Sequence, residues 1–146
     1  MNEPAYPFRN TQDRLSFTFE SINSERIINK LVLYDTIDEN TVNLALVDVM
    51  PDGRLADEVV SDNQDMDRVI ATVVETMSAF FETYPEKKIY FQGSDGVRTR
   101  LYRILISREL REATKLFLIY GRRIGGDYEV FRPNLPYTGF IIELKS

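Results

Sequence analysis

Apolar and polar residues alternate along much of the first part of the chain, which is the period of strands with one buried face. Residues 15–20 show this alternation, residues 27–34 are rich in β-branched side chains, and Thr41–Val49 is a third candidate strand. The tight-turn sequence Pro51-Asp52-Gly53 then leads to a short strand candidate over residues 55–60. This pattern predicts an antiparallel meander of three or four strands.

The middle of the chain changes to a helical period. Apolar residues at spacings of three and four predict a helix over residues 66–84, which Pro85 ends. Its apolar stripe is expected to pack on the sheet. Residues 87–92 follow as a short strand, and a second helix is expected to begin near Val97 after an N-cap at Ser94 or Asp95.

The C-terminal part returns to the strand pattern, over residues 117–122, 128–131 and Tyr137–Leu144, with a hairpin turn at Gly125-Gly126-Asp127. Residues 1–12 resemble an extended lead-in that lies across the domain. The whole pattern predicts one α+β domain over residues 1–146, a bent antiparallel β-sheet with two helices packed on one face. Tyr137–Leu144, as an exposed edge strand, is a route to a homodimer.

The amino-acid composition excludes several kinds of metal site and catalytic mechanism. The chain contains no cysteine and no histidine, which excludes disulfides, thiolate metal sites and Ser-His or Cys-His catalysis. We expect no cofactor. No apolar run approaches the roughly 20 residues of a membrane span, and the N-terminus lacks the regions of a signal peptide. We therefore expect no membrane partner and a cytoplasmic location.

The charge is unevenly distributed. The chain has 23 acidic and 18 basic residues, a net charge of −5, which disfavours diffuse binding to nucleic acid. The basic residues are clustered in the second half, however, and this permits a local anion site. They include Arg98, Arg100, Arg103, Arg108, Arg111, Lys115, Arg122 and Arg123.

The most informative motif spans residues 90–103, where an apolar strand breaks at Gly93-Ser94 and a predicted helix opens with three arginines. Helix N-termini offer unpaired N–H groups and a partial positive charge, and arginines add full charges and bidentate contacts. The aromatic ring of Tyr102 can stack a base. The predicted ligand-binding residues are Ser94, Arg98, Arg100, Tyr102 and Arg103. The alternative is that these arginines pair with carboxylates on neighbouring strands and Ser94 only caps the helix.

Other sequence patterns indicate a functional site less strongly. The triplets Glu86-Lys87-Lys88 and Glu143-Leu144-Lys145 are similar to the metal-binding strand of some nucleases, but neither has a convincing carboxylate partner. Acidic residues cluster at 35–39 and 57–67 without the spacing of a calcium loop, so we predict no metal site. Arg122 and Arg123, at the predicted hairpin tip, either extend the basic surface or keep an exposed turn soluble.

The chain resembles a small bacterial family of unknown function, whose members are stand-alone proteins of about this length. The resemblance rests on the segments 37–40 and 69–73, and above all on Gly93-Ser94 followed by Arg98-Thr99-Arg100-Leu101-Tyr102-Arg103 and Ile106-Ser107. Asp95-Gly96-Val97 departs from the small or hydroxyl residue expected after the serine. The resemblance implies no activity and supports only the choice of surface.

Three functions remain open at this stage. The leading one is an anion-binding module that takes a nucleic-acid segment or a nucleotide. The second is a protein-interaction module, for instance one component of a small bacterial two-gene system. The third is a histidine-free ribonuclease in which arginine stabilises the phosphorane. Whether the protein is an enzyme is left undecided, because fold analogy cannot choose among the three.

Overall fold

The computed structural model describes residues 5–23, 25–56, 65–92, 116–132 and 135–145. Within these ranges the chain forms nine strands, all in one sheet, and one helix. The helix is α1 (Met66–Thr83), between β5 and β6. The strands are β1 (Arg9–Asn10), β2 (Ser16–Ile22), β3 (Ile27–Asp38), β4 (Thr41–Val49), β5 (Leu55–Ala56), β6 (Lys88–Phe91), β7 (Phe117–Arg123), β8 (Tyr128–Val130) and β9 (Tyr137–Leu144).

The sheet is mixed, with the strand order β1-β2-β3-β4-β6-β9-β7-β8 and with β5 beside the end of β4. β6 runs parallel to β4 from Thr41↔Lys88 to Asn43↔Tyr90, while the other pairs are antiparallel. The predicted purely antiparallel sheet is therefore wrong. The physical reason is that α1 carries the chain back along the sheet, so that β6 enters it in the same direction as β4.

The predicted pair of helices on one face is also wrong as a description of the fold, which is one large mixed sheet with a single helix in the described ranges. The second predicted helix, beginning near Val97, lies outside the described residues. No helix in the described part of the chain has the length and hydrophobicity needed to cross a membrane.

β9 is an interior strand, since it pairs with β6 on one side and β7 on the other. The prediction that Tyr137–Leu144 is an exposed edge is therefore wrong, because its backbone groups are already used within the sheet. The strand order of the described sheet ends at β1 on one side and at β8 on the other. Homodimer formation stays a prediction, but it cannot occur by pairing through Tyr137–Leu144 as an edge strand.

α1 packs on one face of the sheet, which we call the helix face, and the opposite one is the outer face. Phe80 stacks on Tyr34 of β3 with ring centroids 4.7 Å apart, and Phe81 lies 5.4 Å from Phe117 of β7. The helix therefore bridges strands from both halves of the chain. Its buried residues continue a core of alternate strand residues such as Val32.

A partly buried polar cluster lies at the start of α1. Asp65 occupies the N-cap position, yet its side chain makes no cap hydrogen bond. Its carboxylate instead accepts hydrogen bonds from the Tyr6 hydroxyl and from Ser21 Oγ, each at 2.5 Å. The Tyr6 backbone N–H donates to Thr72 Oγ1 on the helix at 2.8 Å. The N-terminal segment that contains Tyr6 is thus hydrogen-bonded to α1 and to the polar cluster that includes Ser21 of the sheet.

Lys30 and Asp48 form a buried ion pair across β3 and β4, with Nζ 2.5 Å from Oδ1 and side chains 1% and 5% exposed. Removing one partner takes away the counter-ion that lies 2.5 Å from a buried charge, so Lys30→Met or Asp48→Leu should each cost about 3–5 kcal/mol of unfolding free energy. The double variant should cost less than either single change. Urea denaturation measures these differences.

The control for this prediction is Glu82→Gln, which breaks the exposed pair with Arg14, at 3.0 Å. It should change stability by less than about 1 kcal/mol. Single variants of the buried pair that resemble this control, or a double variant that is the least stable of the set, would contradict the prediction.

Tyr34 should make stability fall at alkaline pH. Burial raises the pKa of Tyr34 well above its ordinary value of 10.0, and the Thr76 hydrogen bond opposes this rise only in part. Since the folded-state pKa is the higher one, the stabilisation is complete below about pH 10 and is lost as the pH rises further. Tyr34→Phe should flatten this decline above about pH 10, which urea denaturation at a series of pH values measures.

At neutral pH the same variant should cost only about 1 kcal/mol, because Thr76 Oγ1 still donates to the Val73 carbonyl at 2.7 Å. An equally steep alkaline decline in Tyr34→Phe would assign the titration to another group.

Candidate functional site

Several strands meet at one end of the sheet. β6 and β7 are both antiparallel to β9, so they run in the same direction and finish at the same end. β8 and β9 begin there. We call this the arginine end, because Arg122 and Arg123 close β7 and Arg132 lies in the β8–β9 connection. Asp127 and Glu129 are the nearby carboxylates in the same hairpin.

Two tyrosines and an arginine meet on the outer face of this end. Arg122 pairs with Tyr128 on one side and with Gly139 on the other. The Tyr90 side chain leans over Gly139, since a Cβ atom placed there would lie 3.1 Å from the Tyr90 hydroxyl. We call Tyr90, Gln92, Arg122 and Tyr128 the tyrosine–arginine cluster. It draws its members from three strands and from the residue after β6.

One hydroxyl group of the cluster has its acceptor within the cluster. The Tyr90 hydroxyl donates to Gln92 Oε1 at 2.6 Å. Burial raises the pKa of Tyr128, the nearby Tyr90 raises it further, and Arg122 opposes both effects. Tyr128 thus stays protonated at neutral pH while 44% of its surface is exposed. A guanidinium, phenol donors and aromatic rings together suit a phosphate with an attached base.

The residues predicted from the sequence motif, which are Ser94, Arg98, Arg100, Tyr102 and Arg103, all lie outside the described residues. Their roles therefore stay predictions. The chain enters this segment directly from Gln92, a member of the tyrosine–arginine cluster. Arg122 and Arg123, which the sequence suggested as an extension of the basic surface, are at the same end of the sheet as Gln92.

The other sequence patterns do not form a site. Lys88 and Glu143, from the two Glu-x-Lys triplets, face each other with Nζ 3.8 Å from Oε2, as an ion pair. Asp38, Glu39 and Glu86 border one hollow of about 480 Å³. Within the described ranges, no three acidic side chains approach closely enough to hold a metal ion.

Sequence reasoning missed Tyr90, Gln92 and Tyr128 as site residues. A signal was present, because Tyr90 and Tyr128 are large aromatic residues at half-buried or exposed positions of their strands, where polar residues are usual. What was lacking was the pairing of β9 between β6 and β7, which brings the two tyrosines together.

Comparison with known proteins identifies a family. A family model described as a family of unknown function (DUF6934) matches residues 2–145. The chain therefore belongs to this family, and the resemblance to an uncharacterised family is confirmed. Searches of curated proteins and of solved structures found no match.

Gly139→Ala should disturb the tyrosine–arginine cluster. The new Cβ would meet the Tyr90 ring at 3.3 Å and the Phe91 carbonyl oxygen at 3.4 Å, so the Tyr90 side chain has to move. We expect a loss of about 1–2 kcal/mol of unfolding free energy and shifted NMR signals for Tyr90 and Tyr128. Gly125→Ala is the matched control, because nothing lies within 4 Å of its Cβ position. Equal effects of the two changes would contradict this packing.

Proposed function

We propose that this member of the DUF6934 family is an anion-binding module that takes a segment of single-stranded nucleic acid at the arginine end of its sheet. The observation that carries the proposal is the convergence of Tyr90, Arg122 and Tyr128 on one face, beside Gln92. The sequence-predicted residues Ser94, Arg98, Arg100, Tyr102 and Arg103 follow Gln92 in the chain and supply further charge and one more ring.

The chemistry of the cluster favours nucleic acid over a simple anion. A phosphate needs only the guanidinium and hydroxyl donors, whereas tyrosine rings on a sheet provide stacking surfaces for bases. Base–aromatic stacking contributes about 1–3 kcal/mol per base and tolerates different sequences. We therefore expect binding with little sequence preference, and catalysis is no part of the proposal. We also propose a cytoplasmic location.

The net charge of −5 limits the number of phosphates that the protein can neutralise. If Arg122 acts with the three predicted arginines at 98, 100 and 103, the logarithm of the binding constant should fall with the logarithm of salt concentration with a slope of about −3. A slope near zero would indicate that apolar contact dominates, as at a protein–protein interface.

The test is binding of labelled single-stranded RNA and DNA across a salt series, measured by fluorescence anisotropy. The double variant Arg122→Ala/Tyr128→Ala should lose at least about tenfold in affinity, which is about 1.4 kcal/mol. The triple variant Arg98→Ala/Arg100→Ala/Arg103→Ala should show a comparable loss and a shallower salt slope. All variants are compared at equal folded fraction by circular dichroism.

Arg9→Ala is the matched control, because Arg9 is an exposed arginine on β1, at the opposite edge of the sheet. It should bind like the native chain. No salt-sensitive binding by the native chain would refute the proposal and favour a protein partner. RNA cleavage without added metal, abolished by the triple variant, would instead favour the ribonuclease.

A further inference from the structure

The geometry points to a second site at the arginine end, on the other side of the sheet from the tyrosine–arginine cluster: a pocket that binds one nucleoside monophosphate. Arg123 and Arg132 would contact the phosphate, and Glu129 would accept a hydrogen bond from a sugar hydroxyl or a base amino group. This goes beyond the proposed function, because it concerns different residues and a small ligand rather than a strand.

The pocket lies between the β7–β8 hairpin and the start of β9. Its volume is about 340 Å³, within the range of small-molecule sites and sufficient for a single nucleotide. It is lined by Arg123, Ile124, Gly125, Glu129, Arg132, Leu135, Pro136 and Tyr137.

A chain of hydrogen bonds fixes the carboxylate in this pocket. The Arg132 backbone N–H donates to the Tyr137 hydroxyl at 3.1 Å, and this hydroxyl donates to Glu129 Oε2 at 2.9 Å. Tyr137 is 4% exposed, and its ring packs directly against Gly121, where any Cβ atom would overlap it. Burial and the Glu129 hydrogen bond raise the pKa of Tyr137, so its hydroxyl remains a donor at neutral pH.

The charges select a ligand with two different ends. Arg123 Nε lies 3.6 Å from Glu129 Oε1, and the charge of Arg132 acts on Tyr137. Two guanidinium groups against one carboxylate leave a net positive pocket that suits a phosphate. Glu129 repels a bare phosphate but accepts hydrogen bonds from a neutral donor. A nucleoside monophosphate satisfies both conditions because its phosphate and its hydroxyl or amino donors are several ångströms apart.

The apolar residues of the pocket suit the base or the ribose of a nucleotide. Leu135, Pro136 and Ile124 line the same pocket, and Ile124 is 75% exposed. A base or ribose that covers this surface removes apolar area from water, which neither inorganic phosphate nor a small carboxylate can do.

The test is titration of the full chain with 5′-AMP, adenosine and inorganic phosphate, each alone, by NMR and calorimetry. AMP should bind at least about tenfold more tightly than either fragment. Glu129→Gln should weaken AMP binding but strengthen phosphate binding, because it removes both the charged acceptor and the repulsion. A carboxylate with a merely structural role would not shift the two ligands in opposite directions.

Tyr137→Phe should also weaken AMP binding several-fold, because Glu129 loses the donor that positions it. Tyr84→Phe is its matched control, since it removes one tyrosine hydroxyl, which donates to the Asp13 carbonyl oxygen at 2.8 Å, at the C-terminal end of α1 and away from the arginine end. If Glu129→Gln or Tyr137→Phe fails to fold, Arg123→Ala keeps the test decisive, because the Arg123 side chain is 65% exposed. It should weaken AMP and phosphate binding alike.

The pocket is refuted if AMP binds no more tightly than phosphate, or if AMP binding is insensitive to Glu129→Gln and Arg123→Ala. In the Arg122→Ala/Tyr128→Ala background, which removes strand binding at the cluster, a short RNA with a 5′-phosphate distinguishes the source of the ligand: binding equal to that of AMP indicates a strand end, and weaker binding a free nucleotide. Both results support the pocket. Loss of strand binding in Arg122→Ala/Tyr128→Ala with AMP binding intact would separate this site from the proposed function.

Discussion

The parallel pairing of β4 with β6 is the contact on which the rest of the architecture depends. Among the described residues, three pairs from Thr41↔Lys88 to Asn43↔Tyr90 join the N-terminal strands to the C-terminal strands within the sheet. α1 reinforces this joint from one side, because Phe80 packs on Tyr34 and Phe81 packs on Phe117. Without the joint, the chain would present two small antiparallel sheets, each with an additional exposed edge and less shared core.

The order of strands beyond this joint creates the arginine end. β9 lies between β6 and β7, so residues that are far apart in the chain, such as Tyr90 and Tyr128, come together on the outer face. Because successive side chains of a strand point to opposite faces, the polar residues of the β7–β8 hairpin are divided between the two faces of the sheet. Arg122 points away from the helix face, while Glu129 and Tyr137 form a hydrogen-bonded pair on the opposite side. One hairpin therefore contributes side chains to both of the proposed sites.

Local patterns predicted much of the fold. β4 and β9 have the expected bounds, and α1 ends one residue earlier than expected. Other features escaped prediction because they rest on distant contacts. The two-residue strand β1 exists only through its pairing with β2. Asp65 occupies the N-cap position of α1, but its carboxylate is bound by Tyr6 and Ser21 rather than by the helix.

The order of apolar and polar residues was enough to identify most of these strands and to delimit α1, because side-chain period and turn chemistry act within a few neighbouring residues. It was also enough to direct attention to the arginines at the β7–β8 turn. The choice of strand partners, the parallel joint and the meeting of Tyr90, Arg122 and Tyr128 were decided only in three dimensions. The physical reason is that pairing depends on which buried faces the helix and sheet can cover together, and no local period encodes that choice.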